Sequence, residues 1–426
     1  MKNTIIAFLL MFQAALLNGQ IRNLNYYLQK ANENSPLINK SLNANKLLKL
    51  DKQQVEAILT KPVVNMEAGL LFAPIISHDN NNKFQWVTEG ANKYTGYDLA
   101  VSDGGQYQAY VSIQQPLLRG SVSKAYAQKN SISSAQNTNN IQLTSHELEQ
   151  LVNYQYLLCL KAKHQSEISR TLITKTNEQL NTMKKLVEHG IYKQTDLMIM
   201  QIETENYKLE YQNYYADYLN NLADLNLICG INDTLSTSLE DTSFVIKPER
   251  VQNSRFLKKY TLDSMNIAAD NLLFNQKYKP KINLFATAGM NAVYLPSFNR
   301  FGFSTGLNFT WNIFDGNQKQ IQHKKSIIQL QTLQFEKNNF IKTNQTNKSK
   351  YLTRIKTVNS KIKVVEHQLS EYKKLWKLYS YELSQAQVSV MDFKNLVRDI
   401  AAKQQENLRL HMENQMLINS YNYWNY

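Results

Sequence analysis

Residues 301–316 read Phe301-Gly302-Phe303-Ser304-Thr305-Gly306-Leu307-Asn308-Phe309-Thr310-Trp311-Asn312-Ile313-Phe314-Asp315-Gly316. In an extended chain Phe301, Phe303, Leu307, Phe309, Trp311 and Ile313 fall on one side, and Gly302, Ser304, Gly306, Asn308, Thr310 and Asn312 on the other. A stretch of about ten residues with this alternation suits a strand that crosses an outer membrane, lipid on one face and water on the other. A soluble, half-buried sheet carries the same alternation. The segment C-terminal to it decides between them. From Asn317 to about Leu383 the chain has neither Gly nor Pro, and a continuous helix of that length reaches ~100 Å.

The pattern occurs twice. Lys61-Pro62-Val63-Val64-Asn65 recurs as Lys279-Pro280-Lys281-Ile282-Asn283, 218 residues later. Gln115-Pro116-Leu117-Leu118-Arg119-Gly120 matches Trp311-Asn312-Ile313-Phe314-Asp315-Gly316, and Thr195-Asp196-Leu197 matches Met391-Asp392-Phe393, both at an offset of 196. Two landmarks with one offset mark an internal duplication. The 22 extra residues in the first copy fall within 73–105, a polar stretch with Asn80-Asn81-Asn82 and Gly104-Gly105, hence a longer loop. The first repeat, 20–230, is expected to hold strands at about 62–73 and 106–115 and helices at about 121–186 and 194–229. A connecting segment spans 231–256. The second repeat, 257–426, is expected to hold strands at about 280–290 and 301–313 and helices at about 317–383 and 390–420. Tyr207, Tyr211, Tyr214, Tyr218, Leu222 and Leu225 step by three and four, a coiled-coil seam read as packing.

Other features narrow the class. Lys2 followed by the largely apolar Ile5 to Leu17 and by Asn18-Gly19-Gln20 is a secretory leader, 1–19, with cleavage after Gly19. Beyond it no stretch approaches the ~20 apolar residues of a membrane-spanning helix, so any crossing must be made by strands. The net charge of +14 is scattered along helical segments without an Arg-rich block. It therefore reads as solvated helix faces, with no nucleic-acid partner expected. The seven histidines show no i, i+4 pairing and no nearby Cys, and no nucleophile elbow, phosphate loop or carboxylate pair stands out. No metal, cofactor or enzymatic activity is expected. Cys159 and Cys229 fall on opposite arms of a helical hairpin, offset by ~12 Å, and are expected to be free thiols. Four strands cannot close a barrel, which needs about eight, and lipid tolerates no open edge. If the strands cross a membrane, several chains must therefore pool them.

The Pro-containing strand starts, the strand ends Pro116-Leu117-Leu118-Arg119-Gly120 and Asn312-Ile313-Phe314-Asp315-Gly316, and the helical turn from Gly190 to Asp196 together resemble the TolC outer-membrane efflux family. The resemblance covers about residues 21–426. It implies a mainly α protein with a transmembrane β portion, two repeats of strand-strand-long helix-helix, a homotrimer sharing a 12-stranded β-barrel, and an α-helical periplasmic tunnel. It also implies a place in the outer membrane of a Gram-negative cell, contact with outer-membrane lipid, a periplasmic adaptor, and an inner-membrane pump of the proton-driven or ABC type. The function implied is passive export of small molecules. ABC-driven type I protein secretion, or a secreted coiled-coil structural protein, are the alternatives. At the family's tunnel tip, Gly190 and Asp196 match a turn whose aspartate helps hold the closed tip. In the second repeat Ala386 replaces the glycine, and Asp392 matches a position that carries an entrance ring of aspartates in some members. The chain departs from the family at the gate tyrosine, where Leu383 stands, and at an arginine, where Val388 stands. Tyr381 lies nearby on a different helical face.

Overall fold

A computed structural model describes residues 22–72, 75–78, 84–85, 93–96, 105–232, 238–249, 254–293 and 301–426. The leader at 1–19 and much of the 73–105 loop lie outside the described residues. In chain order the elements are α1 (Leu24–Asn34), α2 (Pro36–Thr60), β1 (Val63–Phe72), β2 (Ile75–Ser77), β3 (Phe84–Gln85), β4 (Tyr94–Gly96), β5 (Gly105–Leu117), α3 (Gly120–Glu188) and α4 (Gln194–Ile228). Then come α5 (Arg255–Asn275), a 3-10 turn (Gln276–Tyr278), β6 (Lys281–Val293), β7 (Phe301–Thr310), α6 (Gln318–Ser384) and α7 (Val390–Trp424). They form two compact units, one of residues 43–137 and 261–334, the other of the remaining segments.

The first unit holds the sheet. Its strand order is β1-β5-β6-β7, every neighbour antiparallel. Register places Val64 opposite Ile113 and Met66 opposite Val111; Ile113 and Val111 in turn face Ala286 and Ala288, and Ala288 faces Phe303. Because side chains alternate, this register collects Val64, Met66, Leu70, Val111, Ile113, Leu284, Phe301, Phe303, Leu307 and Phe309 on one face. Those residues are exposed, Met66 by 80% and Phe303 by 82%. The opposite face carries Asn65, Glu67, Ser112, Gln114, Asn283, Thr287, Ser304 and Asn308. Two aromatics interrupt it, Tyr110 and Phe285, and each stands directly opposite a glycine, Gly289 and Gly306. A Cβ on Gly306 would lie 2.8 Å from the Phe285 ring. The aromatic side chains therefore lie flat on the wall.

The ladder of β7 stops at Thr310, three residues short of the stretch expected from the alternation, because its partner β6 begins at Lys281. Trp311 turns aside and its indole N–H donates to the Tyr278 carbonyl at 3.2 Å. Asp315 then accepts from the Gln318 N–H at 3.2 Å and starts α6. Within 73–105 the described residues include a small antiparallel sheet, β3-β2-β4.

The second unit is helical. One core cluster joins Tyr27 and Ala31 to Val152, Tyr156, Leu160, Tyr218, Leu222 and Leu225. The tyrosine seam of α4 is thus internal packing at Tyr207, Tyr218, Leu222 and Leu225, with Tyr211 and Tyr214 half-buried. Cys159 and Cys229 are buried in this cluster as free thiols. Arg22 and the 238–240 segment pair as a short parallel bridge, and the Tyr156 hydroxyl donates to the Glu240 carbonyl at 2.6 Å. Further along, Ile355, Val358, Ile362 and Val365 of α6 pack on Leu410, Leu417, Ile418 and Tyr421 of α7. Among the described residues no helix is long and apolar enough to cross a membrane.

Candidate functional site at the helical turns

The two helical hairpins end in turns with the same construction. Helix α3 closes with Gly190 at φ +70°, where the Gly190 N–H donates to the Val187 carbonyl at 2.9 Å and the Ile191 N–H to Leu186 at 2.8 Å. Helix α6 closes likewise. Ala386 sits at φ +56°, its N–H donates to Leu383 at 3.2 Å, and the Gln387 N–H donates to Glu382 at 2.8 Å. Both are Schellman closures, which need a left-handed residue. Glycine takes that conformation without strain, whereas an alanine there costs about 1 kcal/mol.

Each following helix carries an aspartate in its first turn, three residues after its N-cap. Asp196 accepts from the Lys193 backbone N–H at 3.1 Å. Asp392 accepts from the Ser389 hydroxyl at 2.6 Å, while the same hydroxyl accepts from the Asp392 N–H at 3.0 Å. A carboxylate here satisfies a free donor and opposes the positive end of the helix dipole. Asp196 thus completes a cap, whereas α7 is capped by Ser389, whose hydroxyl Asp392 orients while itself remaining exposed.

The turns are tied together by a residue the sequence did not single out. The Tyr192 hydroxyl reaches the Val388 carbonyl at 2.8 Å and lies 3.4 Å from the Leu383 carbonyl. Tyr192 and Val388 are themselves counterparts, 196 residues apart. Burial, with the Asp196 charge adding to it, holds the Tyr192 phenol above its ordinary pKa, so it stays a donor. Beneath this bridge Leu383, Met183, Met200, Phe393 and Val397 are fully buried in one apolar cluster, with Trp376 packed on Phe393 at 5.5 Å between ring centroids. Leu383, at the family's gate-tyrosine position, is thus a core residue, and Tyr381 points outward at 65% exposure. The Ser-x-x-Asp cap at Ser389 is visible in the sequence, whereas the bridge goes to backbone carbonyls and leaves no side-chain signal. Among the described residues no group of three or more His, Cys, Asp or Glu side chains forms a candidate metal site.

No protein-family model matches the sequence, and no curated protein matches it. Solved structures do. Similar over 95% of this chain and 92% of its own is CusC, described in connection with folding and transmembrane channel formation, at 13% identity and a TM-score of 0.71. The Campylobacter jejuni CmeC outer membrane channel matches over 94% and 85% at 12% identity and 0.67. The Neisseria gonorrhoeae MtrE outer membrane channel, in an open state, matches over 94% and 88% at 12% identity and 0.66. This chain has the fold of the TolC-like outer-membrane channels. In this TolC-like chain the turns closed by Gly190 and Ala386 are the ends of the two helical hairpins.

Proposed function

We propose that the chain is one protomer of an outer-membrane channel that passes small molecules passively from the periplasm to the exterior. The carrying observation is the sheet. It has one continuous, exposed apolar face, a polar opposite face and, among the described residues, two edges without a further strand, β1 and β7. An unpaired edge in hydrocarbon leaves several backbone groups unsatisfied. The four strands alternate in direction, so β7 of one copy runs antiparallel to β1 of the next and can continue the ladder. Three copies, the number the resemblance implies, would give twelve strands. Helix α4 adds support: Met198, Ile202, Glu205, Leu209, Gln212, Ala216, Leu219 and Ala223 repeat at heptad spacing along it, all exposed. That stripe, apart from the Tyr207–Leu225 seam, is suited to a neighbouring copy.

In this reading the helical turns form the gate. Three copies of Asp392 stand near the entrance, Gly190, Asp196 and Ala386 shape the turns, and a periplasmic adaptor with its inner-membrane pump delivers cargo to them. The test is single-channel recording of detergent-extracted protein in a planar bilayer, with carbonate washing of the source membranes. Retention in washed membranes and discrete openings are expected. Release by carbonate and a silent bilayer would overturn the proposal.

A further inference from the structure

One rung of the sheet is unlike the others. It runs Glu67, Tyr110, Gly289, Gly302 across the four strands, on the polar face. Two of its four members have no side chain. Tyr110 lies against Gly289 so closely that a Cβ there would collide with the Ala109 carbonyl and with Tyr110 itself. The Tyr110 hydroxyl donates to Glu67 Oε2 at 2.7 Å, and Ser112, one rung away, donates to Glu67 Oε1 at 3.1 Å. Both carboxylate oxygens are therefore held against the wall by neutral hydroxyls, which fix the group without cancelling its charge. On the polar face the adjacent rungs are Asn65, Ser112, Thr287 and Ser304 on one side and, on the other, begin with Gly69 and Gln108. Among the described polar-face strand residues the other charge is Lys281, at the first rung of β6.

We infer that Glu67 is the ion-selectivity residue of the β-barrel, its copies forming a carboxylate ring partway up the polar wall that favours cations over anions. The inference rests on the channel reading and adds a substrate-charge filter in the barrel, separate from the helical turns. Gly289 leaves room for Tyr110 on the same rung, and the carboxylate that Tyr110 and Ser112 hold remains exposed. A ring of fixed charge sorts ions through the local potential it creates. In a wide, water-filled pore that potential reaches the axis only when screening is weak. The Debye length is about 30 Å at 0.01 M salt and about 3 Å at 1 M.

The experiment measures reversal potentials across a KCl gradient for the wild-type protein, Glu67→Gln and Glu67→Lys, each purified as the assembled oligomer. Near 10 mM salt the wild-type potassium-to-chloride permeability ratio is expected to exceed that of the Gln variant by about threefold. The Lys variant should fall below the Gln variant, and the three should converge near 1 M. Equal ratios for wild type and either variant at low salt overturn the role of Glu67 while the channel stands. Absence of openings in all three proteins overturns the channel reading and this inference with it.

Discussion

Cys159 and Cys229 show how burial sets chemistry at the scale of single residues. Both thiols are fully buried, and burial raises each pKa from 9.0 to about 12. Tyr218, in the same cluster, is also pushed up to about 12, mainly by burial. The fold favours the protonated form of each, so their contribution to stability is complete below about pH 9. It is lost as pH rises toward 12, where the unfolded chain gains charge that the folded one resists. The melting midpoint of the helical unit, followed by circular dichroism, is expected to fall by roughly 10 °C between pH 8 and pH 11. A flat midpoint over that range would show that these groups titrate in the fold as they do in solution. The free thiols were legible in the sequence from hairpin geometry alone. The hydroxyl clasp on Glu67 was not, because it joins residues 43 and 45 positions apart that only strand register brings together.

At the scale of elements, the long helices were legible because the absence of Gly and Pro is itself a signal, and the strands because their alternation has period two. The tie between the turns left no such mark. Tyr192 donates to a backbone carbonyl, and a carbonyl is present whatever side chain stands at Val388. Leu383, where the family resemblance places a gate tyrosine, is fully buried. Tyr192→Phe keeps the ring in its apolar bed and removes one hydrogen bond, worth about 1 kcal/mol. If the turns are the gate, open probability in bilayer recordings should rise about fivefold per tie. Unchanged gating would make the bridge structural only. Asp392→Ala leaves the Ser389 cap in place, so the helix start should lose only about 0.5 kcal/mol. A change in cation block in that variant would therefore report a ring of aspartates at the entrance, and indifference would leave Asp392 a partner of the Ser389 cap.

At the scale of the whole molecule, the sheet's two free edges govern what the chain can become. Within one chain β1 and β7 are separated by three strand spacings, roughly 14 Å, beyond the reach of a disulfide. Cysteines placed at Asn65 and Asn308, or at Gly69 and Ser304, can therefore bridge only between copies. Oxidised membranes should yield linked dimers and trimers on non-reducing gels for at least one pair, with the native thiols too buried to interfere. Monomer from every pair would mean that these edges do not meet. The expectation of several copies comes from counting strands in the sequence, whereas the alternating direction of the four strands came only from the topology. In the proposed multi-chain channel, such edges also bear on inheritance. A chain with a proline in β1 could not join its neighbours, so its defect would be masked by any intact copy of the gene. A chain that keeps both edges but cannot open its turns would be built into shared barrels, and most mixed assemblies would carry at least one such member. The first lesion would behave as recessive and the second as dominant.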